Sequence, residues 1–498
     1  MKAARTDRFH RRRQRLIIRG PRNPVDWDKM DTIPIPLTDL IAPIPNIRTR
    51  TFFIVNDRLD VDALRNALTD LIRNHWRKLG ARVVRGTQNG QWEYHLPKTF
   101  DDEYVLFNWT SEDTEASIGT VTESLKRPSP GSGIAFLQPI DDVDSCFRPA
   151  DWPFEQKDDP ADAPILYVHI RTFTDATVVA ISMLHVFGDQ LGLANIVKAW
   201  MGILEGKTPP PFLGYDEEVL PHDKAFEDFP KRDTHRKGWM RVRRYGEYVF
   251  VLLGFILELI LYAEESHIIF FPLQMVESMR VRTSKELEQK YGADPGISHA
   301  DILTGILTKF AHMYKTSPVT VSLSQTVNLR GRVPQLLSPA RNGYIHNALI
   351  YASSRYRHSR STSVGEIAYL NRQAVNETLT NKGSDVGLAV MREMVKRGQS
   401  LHICEPFEKS YGVTNWCGAW KDVDFTNAAK TREKQGGETR SLGMLVLGHG
   451  GERKTPKRFH STVMCKTNDG YWVDFSTSRK GMKAIKDYIA SDPALERF

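Results

Sequence analysis

Residues 182–192 read SMLHVFGDQLG, preceded by the apolar runs ILYVHI and TVVAISML and followed by LANIVKAWMGIL. The pattern sets His185 where a strand should end and Asp189 four residues later, where a helix should begin. A histidine at the carboxyl end of a strand projects its imidazole toward the rim of a cleft, and its ordinary pKa of about 6.5 lets it take and return a proton near neutrality. The spacing alone carries little weight, because fifteen histidines in 498 residues give about one His-x-x-x-Asp by chance. An isolated histidine here would usually be a satisfied core residue, so the surroundings decide. Gly188 permits a tight turn. Asp189 then faces away from His185 toward the interior, where an unpaired carboxylate is costly; it must meet a cation, as an architectural pin rather than a catalytic acid.

Such a constellation needs a large scaffold, and 498 residues exceed what one core usually serves, so two domains are expected. With 41% hydrophobic and 26% charged residues the composition is that of a globular protein. The net charge of +8 is concentrated at the start, where KAARTDRFHRRRQRLIIRGPR lacks the apolar core of a secretory signal; residues 1–30 are expected to be a basic disordered tail. Four scattered cysteines, Cys146, Cys404, Cys417 and Cys465, fit neither a disulfide framework nor a zinc site, so a reduced, cytoplasmic setting without metal is expected. No Gly-rich phosphate loop follows a strand, and there is no internal repeat.

From about Pro34 strands and helices alternate. TRTFFIVND is strand-like; LDVDALRNALTDLIRNHWRKLG has helical spacing with Asp60 as N-cap; ARVVRG and QWEYHL read as a hairpin around Asn89-Gly90. The Pro-rich, aperiodic stretch after Leu204 divides the chain into a first domain at 31–205, a linker at 206–244 and a second domain at 245–498. The second begins with an apolar segment, Tyr248–Tyr262, too short to span a bilayer, which takes about 20 residues. It is either a packed helix or a peripheral membrane contact through residues such as Phe250, Leu252 and Phe255. Beyond it, Ser298 caps a helix with Asp301 in its first turn. Strands at VTVSLSQTVNLRGR, RNGYIHNALIYASS and YGVTNWCGAW surround a helix at SVGEIAYLNRQAV, and RSLGMLVLGHG, RFHSTVMCK and YWVDF precede a last helix, MKAIKDYIA.

On these residues the chain resembles the acyl-CoA-dependent acyltransferases called BAHD, and within them the fungal branch that includes trichothecene acetyltransferases. The likeness rests on His185-x-x-x-Asp189, RKLGARVV, the Ser298/Asp301 helix start, the Asn328-Leu329-Arg330-Gly331-Arg332 strand and the Tyr344-Ile345-His346-Asn347-Ala348 turn. It implies an α/β (α+β) fold of two chloramphenicol-acetyltransferase-like domains, each a mixed sheet with flanking helices, with an active-site channel at their interface. It assigns His185 as the catalytic base, Asp189 as the partner of Arg330, and Thr414 and Trp416 of the Thr414-Asn415-Trp416 strand as donors to the reacting carbonyl oxygen. The family's Asp-Phe-Gly-Trp-Gly loop survives only as Asp424 and Phe425, and Gln190 stands where the family has glycine.

The activity this implies moves an acyl group, most simply acetyl from acetyl-CoA, to a hydroxyl of a secondary metabolite, with acyl-CoA as co-substrate and no resident cofactor. A monomer without nucleic-acid partners is expected. Three alternatives stand beside it, one of them a nucleic-acid role that would rest on the arginine-rich tail alone. A carrier-dependent condensation enzyme would usually have a second histidine where Leu184 is, and a relative that only binds a small molecule would have no use for His185, Thr414 and Trp416 together.

Overall fold

The computed structural model describes residues 29–86, 91–121, 133–430, 442–453 and 455–498. The basic tail up to residue 28 and the Asn89-Gly90 turn lie outside them.

A strand covered on both faces reads as a near-continuous apolar run, as Thr177–Leu184 does; it and Arg48–Val55 are buried at every position, the latter with Arg48 and Arg50 paired to Asp159 and Asp144. They form the centre of a five-stranded sheet in the order Met444–Gly450, Arg48–Val55, Thr177–Leu184, Leu166–Thr172, Asn108–Asp113. A seven-stranded sheet runs Leu349–His358, Val319–Asn328, Lys409–Asn415, His460–Lys466, Gly470–Ser478, Glu264–Pro272, Ala135–Phe136. A small sheet joins Met30–Pro34, Trp92–Pro97 and Arg82–Arg85, with the last two antiparallel as the hairpin pattern requires.

The two halves exchange strands. Met444–Gly450 pairs along its full length with Arg48–Val55, while Ala135–Phe136 pairs with Glu264–Pro272. The 206–244 connection therefore separates the halves in sequence but does not separate the sheets, and it holds only the short helical turns Phe226–Asp228 and Lys231–Thr234. The core of the first half accordingly takes in Trp416, Trp420, Phe425 and Leu447 from the second. The second half has its own core, in which Ile302, Ile306 and Phe310 of the helix His299–His312 meet Val321, Val413 and Phe475 of the sheet.

Local signals explain the helix starts. Asp60 accepts from the backbone N–H groups of Asp62 and Ala63, Ser298 and Ser363 form capping boxes with Asp301 and Glu366, and Ser478 caps the last helix. The helix from Val61 does not run on to Gly80. It ends at Asp70, widens into a π turn at Leu71–His75 and tightens into a 3₁₀ turn at Arg77–Gly80. Trp76 falls at the junction, buried, with Nε1 donating to the Pro210 carbonyl at 2.9 Å, and Lys78 is carried into the interior.

Candidate active site

The strand Thr177–Leu184 ends at His185, whose backbone N–H donates to the Ile47 carbonyl at 2.9 Å. Asp189 then caps the helix Gln190–Leu204, its Oδ1 accepting from Gly192 N–H at 2.8 Å. Its other oxygen, Oδ2, accepts from Arg330 Nη1 at 2.8 Å and from Ala348 N–H at 2.9 Å. Both ions of this pair are buried. Arg330 also donates to the carbonyls of Tyr344 (3.2 Å) and His346 (2.5 Å) and to Asn328 Oδ1 (3.2 Å), so every nitrogen of the desolvated guanidinium is engaged. One carboxylate thus ties the turn after His185 to two segments of the second half.

Gly188 serves a purpose other than a special turn conformation, for it is absent from the positive-φ glycines. A Cβ at Gly188 would lie 2.1 Å from the Ile345 carbonyl oxygen, and one at Gly192 would lie 2.0 Å from the same atom. Both positions let the Tyr344–Ala348 segment press against the helix start. Gly192 was not singled out in the sequence, because nothing in a lone glycine within a helical pattern announces what it touches.

The same segment holds His185. Asn347 Nδ2 donates to the His185 carbonyl at 2.9 Å. The imidazole is half-buried; its Nδ1 is enclosed with no partner of good geometry, and among the influences that favour its charged form its own backbone carbonyl comes first. Nε2 makes no hydrogen bond and is the ring nitrogen left to solvent. Burial outweighs the pull of that carbonyl, of Asp189 and of Asn347, so the His185 pKa lies below its usual 6.5. The ring is neutral at pH 7, with a free lone pair for a proton.

His346 is buried behind Phe187, with Nδ1 2.8 Å from the Phe187 carbonyl and Nε2 3.0 Å from Lys78 Nζ, which also donates to Gly214 O at 2.9 Å. Burial lowers the His346 pKa far below its usual value, so Nδ1–H donates and Nε2 accepts from the lysine.

Thr414 and Trp416 stand on a different sheet. Thr414 is half-buried near the end of Lys409–Asn415, in parallel register with Thr462, and Trp416 N–H donates to Val463 O at 2.9 Å. No hydrogen bond links either residue to His185. Asp424 is not drawn into the Asp189 cluster: it is exposed, and its Oδ1 accepts from Thr426 N–H (2.9 Å) and Thr426 Oγ (2.5 Å), closing a local turn. That turn is nevertheless placed by packing. Phe425 meets Phe53 at 5.6 Å between ring centroids, and Ala428 O accepts from Asp60 N–H, strapping the segment across the first half.

A cavity of about 910 Å³ opens beside this cluster. Its lining includes Leu40, Pro43, Val83 and Trp92 from the first half and Ser400 and Glu452 from the second, and it reaches Leu184, the residue before His185. His185 itself is not part of that lining.

No family model matches the chain. It is 28% identical to acetyltransferase adrJ of Penicillium rubens over 393 residues, covering 75% of this chain and 77% of that protein. The solved structure of Fusarium sporotrichioides TRI101, complexed with coenzyme A and T-2, superposes with a TM-score of 0.62 at 14% identity, covering 92% of this chain and 97% of that one. Vinorine synthase superposes with a TM-score of 0.53 at 16% identity, over 91% and 96% of the two chains. At these identities the solved structures show a shared fold, and the adrJ match is a likeness in sequence to a protein named an acetyltransferase. The two-domain fold expected from the resemblance is the one present. Other relatives carry a different name: transcriptional regulator calD of Penicillium decumbens is 26% identical over 495 residues, covering 95% of this chain and 97% of that protein, and transcriptional regulator sdnM of Sordaria araneosa is 26% identical over 483 residues, covering 89% and 95%.

Proposed function

We propose that this acyltransferase moves an acyl group, most simply acetyl, from acyl-CoA to a hydroxyl of a small secondary metabolite, at the junction of the halves 31–205 and 245–498, as a monomer. The observation that carries the reading is His185: a neutral imidazole whose carbonyl is held by Asn347, while the neighbouring carboxylate is fully occupied elsewhere. His185 Nε2 takes the acceptor hydroxyl's proton as the oxygen attacks the thioester carbonyl. The tetrahedral oxyanion meets the Thr414 hydroxyl and the Trp416 indole N–H; on collapse the imidazolium returns its proton to the departing CoA sulfur. No acyl-enzyme forms.

Thr414→Val tests the oxyanion assignment. A donor used only once charge develops should cost about 10²–10³ in kcat with little change in KM, read from steady-state kinetics of CoA release. An unaltered kcat removes Thr414 from the mechanism. A regulatory reading, favoured only by the names of relatives such as calD and sdnM, offers no use for a half-buried neutral histidine at a strand end.

We further propose that the protein is cytoplasmic with peripheral membrane contact through the helix Tyr245–Leu261. No described helix is long and apolar enough to cross a membrane. Yet apart from Gly246 every exposed residue of this helix is a large apolar one: Tyr245, Val249, Phe250, Leu253, Ile256, Leu257, Ile260 and Leu261, with Phe407 beside Phe250. Its one late charge, Glu258, faces inward to Lys315, Lys409 and Tyr314, while the exposed Arg244 at its start adds the positive charge that anionic headgroups attract. Leu252 and Phe255, expected on the apolar face, are half-buried instead, Phe255 against Phe459. In flotation with phosphatidylserine-containing vesicles, the wild type should float and a variant with Phe250, Leu253, Leu257 and Ile260 changed to serine should stay down. Equal recovery of both in the bottom fraction sinks the contact.

A further inference from the structure

The seven-stranded sheet turns opposite faces to the two cores. On its central strands Val413, Val463, Val473 and Phe475 belong to the core of the second half, while Trp416, Met464 and Trp472 belong to that of the first. Side chains alternate between the faces of a strand, so Thr414, Thr462 and Asp474 share the face of Trp416 and Trp472. They also stand in one line across it, because Thr414 is paired with Thr462, and Thr462 with Asp474. Beyond Thr414 the line passes to Thr326 and its partner Tyr351, whose phenol is raised by burial and, behind that, by the charge of Asp189. A polar row thus runs across the sheet from the neighbourhood of Asp189.

The reaction described above uses Thr414 and leaves Thr462 without a task. Thr462 is buried within His460–Lys466, and neither its hydroxyl nor that of Thr414 is bonded to a described residue. Asp474 does not take it: burial pushes that carboxyl up to about 6, the charges acting on it are Lys457, Asp141 and Glu264, and its Oδ1 has no partner. A dry core position between two strands would take valine, which has the same shape; a buried hydroxyl normally has a partner.

We propose that Thr462 is a catalytic residue whose hydroxyl donates, beside that of Thr414, to the thioester carbonyl oxygen as that oxygen becomes negative. The proposal rests on the acyl-transfer reading and on Thr414 as a donor. Neighbouring strands lie about 4.8 Å apart, so an oxygen set between two hydroxyls directly opposite each other is within about 2.8 Å of both. On the other side of Thr414 the strands part: pairing with Val319–Asn328 ends at Gln325 and Val413, whereas Trp416 N–H still donates to Val463 O. As the acceptor oxygen bonds to the carbonyl carbon, the C=O electron pair moves onto oxygen and is met from two adjacent strands. On collapse the pair returns, the C–S bond breaks, and the proton held by His185 goes to the sulfur. Both threonines are left unchanged.

The test compares Thr462→Val, Thr462→Ser and Thr414→Val with the wild type. Free CoA released from acetyl-CoA is followed with a thiol reagent, with 1-octanol as acceptor and with water where no alcohol is added. Thr462→Val should lose about 10²-fold in kcat while KM for acetyl-CoA stays within about threefold, because the donor is needed only once charge develops. Thr462→Ser, which restores the hydroxyl, should recover to within about fivefold of the wild type. The melting temperature of Thr462→Val should not fall, since the hydroxyl removed has no partner in the protein. Wild-type kcat in Thr462→Val beside an impaired Thr414→Val overturns the proposal and leaves the acyl-transfer reading standing. A lowered melting temperature with the valine and serine variants equally slow also overturns it, because Thr462 then serves the fold. Absence of CoA release from the wild type overturns it together with the reading on which it rests.

Discussion

Replacing His185 with alanine should lower kcat by about 10²–10⁴, the usual contribution of a general base, while the circular dichroism spectrum and melting temperature stay close to those of the wild type. The fold has little to lose. The half-buried imidazole makes no well-formed hydrogen bond, and the contacts that fix this position, to Ile47 O and from Asn347 Nδ2, are made by the backbone. The pH profile should carry the same signature. Because burial lowers the His185 pKa below 6.5, the ring remains a base at mildly acid pH, and the acid limb of kcat/KM should lie below 6.5 and disappear in the alanine variant. An acid limb at or above 6.5, or retained turnover in folded His185→Ala, would remove this histidine from the chemistry.

The second large effect belongs to Asp189 and concerns stability first. Asp189→Asn keeps an oxygen for Gly192 N–H but turns an amide N–H₂ toward Arg330 Nη1 and Ala348 N–H, two donors that Oδ2 now satisfies. A guanidinium left uncompensated in the interior costs about 3–5 kcal/mol. Soluble yield and melting temperature should therefore fall together with activity, as measured by calorimetry and steady-state rates on the same preparation. An unchanged melting temperature with lost activity would make Asp189 a partner of the base rather than the pin between the halves.

What the sequence disclosed follows from how local its physics is. His185 and Asp189 were legible because an apolar run ending in a short turn fixes a strand end and a helix start without knowledge of the rest. Asp60, Ser298 and the hairpin strands Arg82–Arg85 and Trp92–Pro97 were legible for the same reason. The partnership of Asp189 with Arg330, 141 residues away, came from family resemblance and not from spacing. Properties that depend on distant chain segments were hidden. The strand Met444–Gly450 reads as an ordinary member of the second half, yet it completes the first half's sheet against Arg48–Val55. Gly188 reads as a turn residue, and only the approach of the Ile345 carbonyl shows why a side chain is excluded. Nothing in the composition of their short turns shows that Asp39 and Lys78 are buried. Asp424, taken over from a shortened loop motif, is exposed and closes a local turn, while Phe425 beside it packs into the core, a difference that the motif does not carry.

The most direct measurement of the central claim is transfer of label from acetyl-CoA. The purified wild type is incubated with acetyl-labelled CoA thioester and a panel of largely apolar primary and secondary alcohols, and both the small-molecule products and the intact protein are weighed by mass spectrometry. The account predicts acceptor-dependent release of free CoA, label in an O-acetyl ester, and no labelled protein at any time point. Label that accumulates on the protein and then turns over, or CoA that binds while no alcohol on the panel is ever acylated, would contradict it.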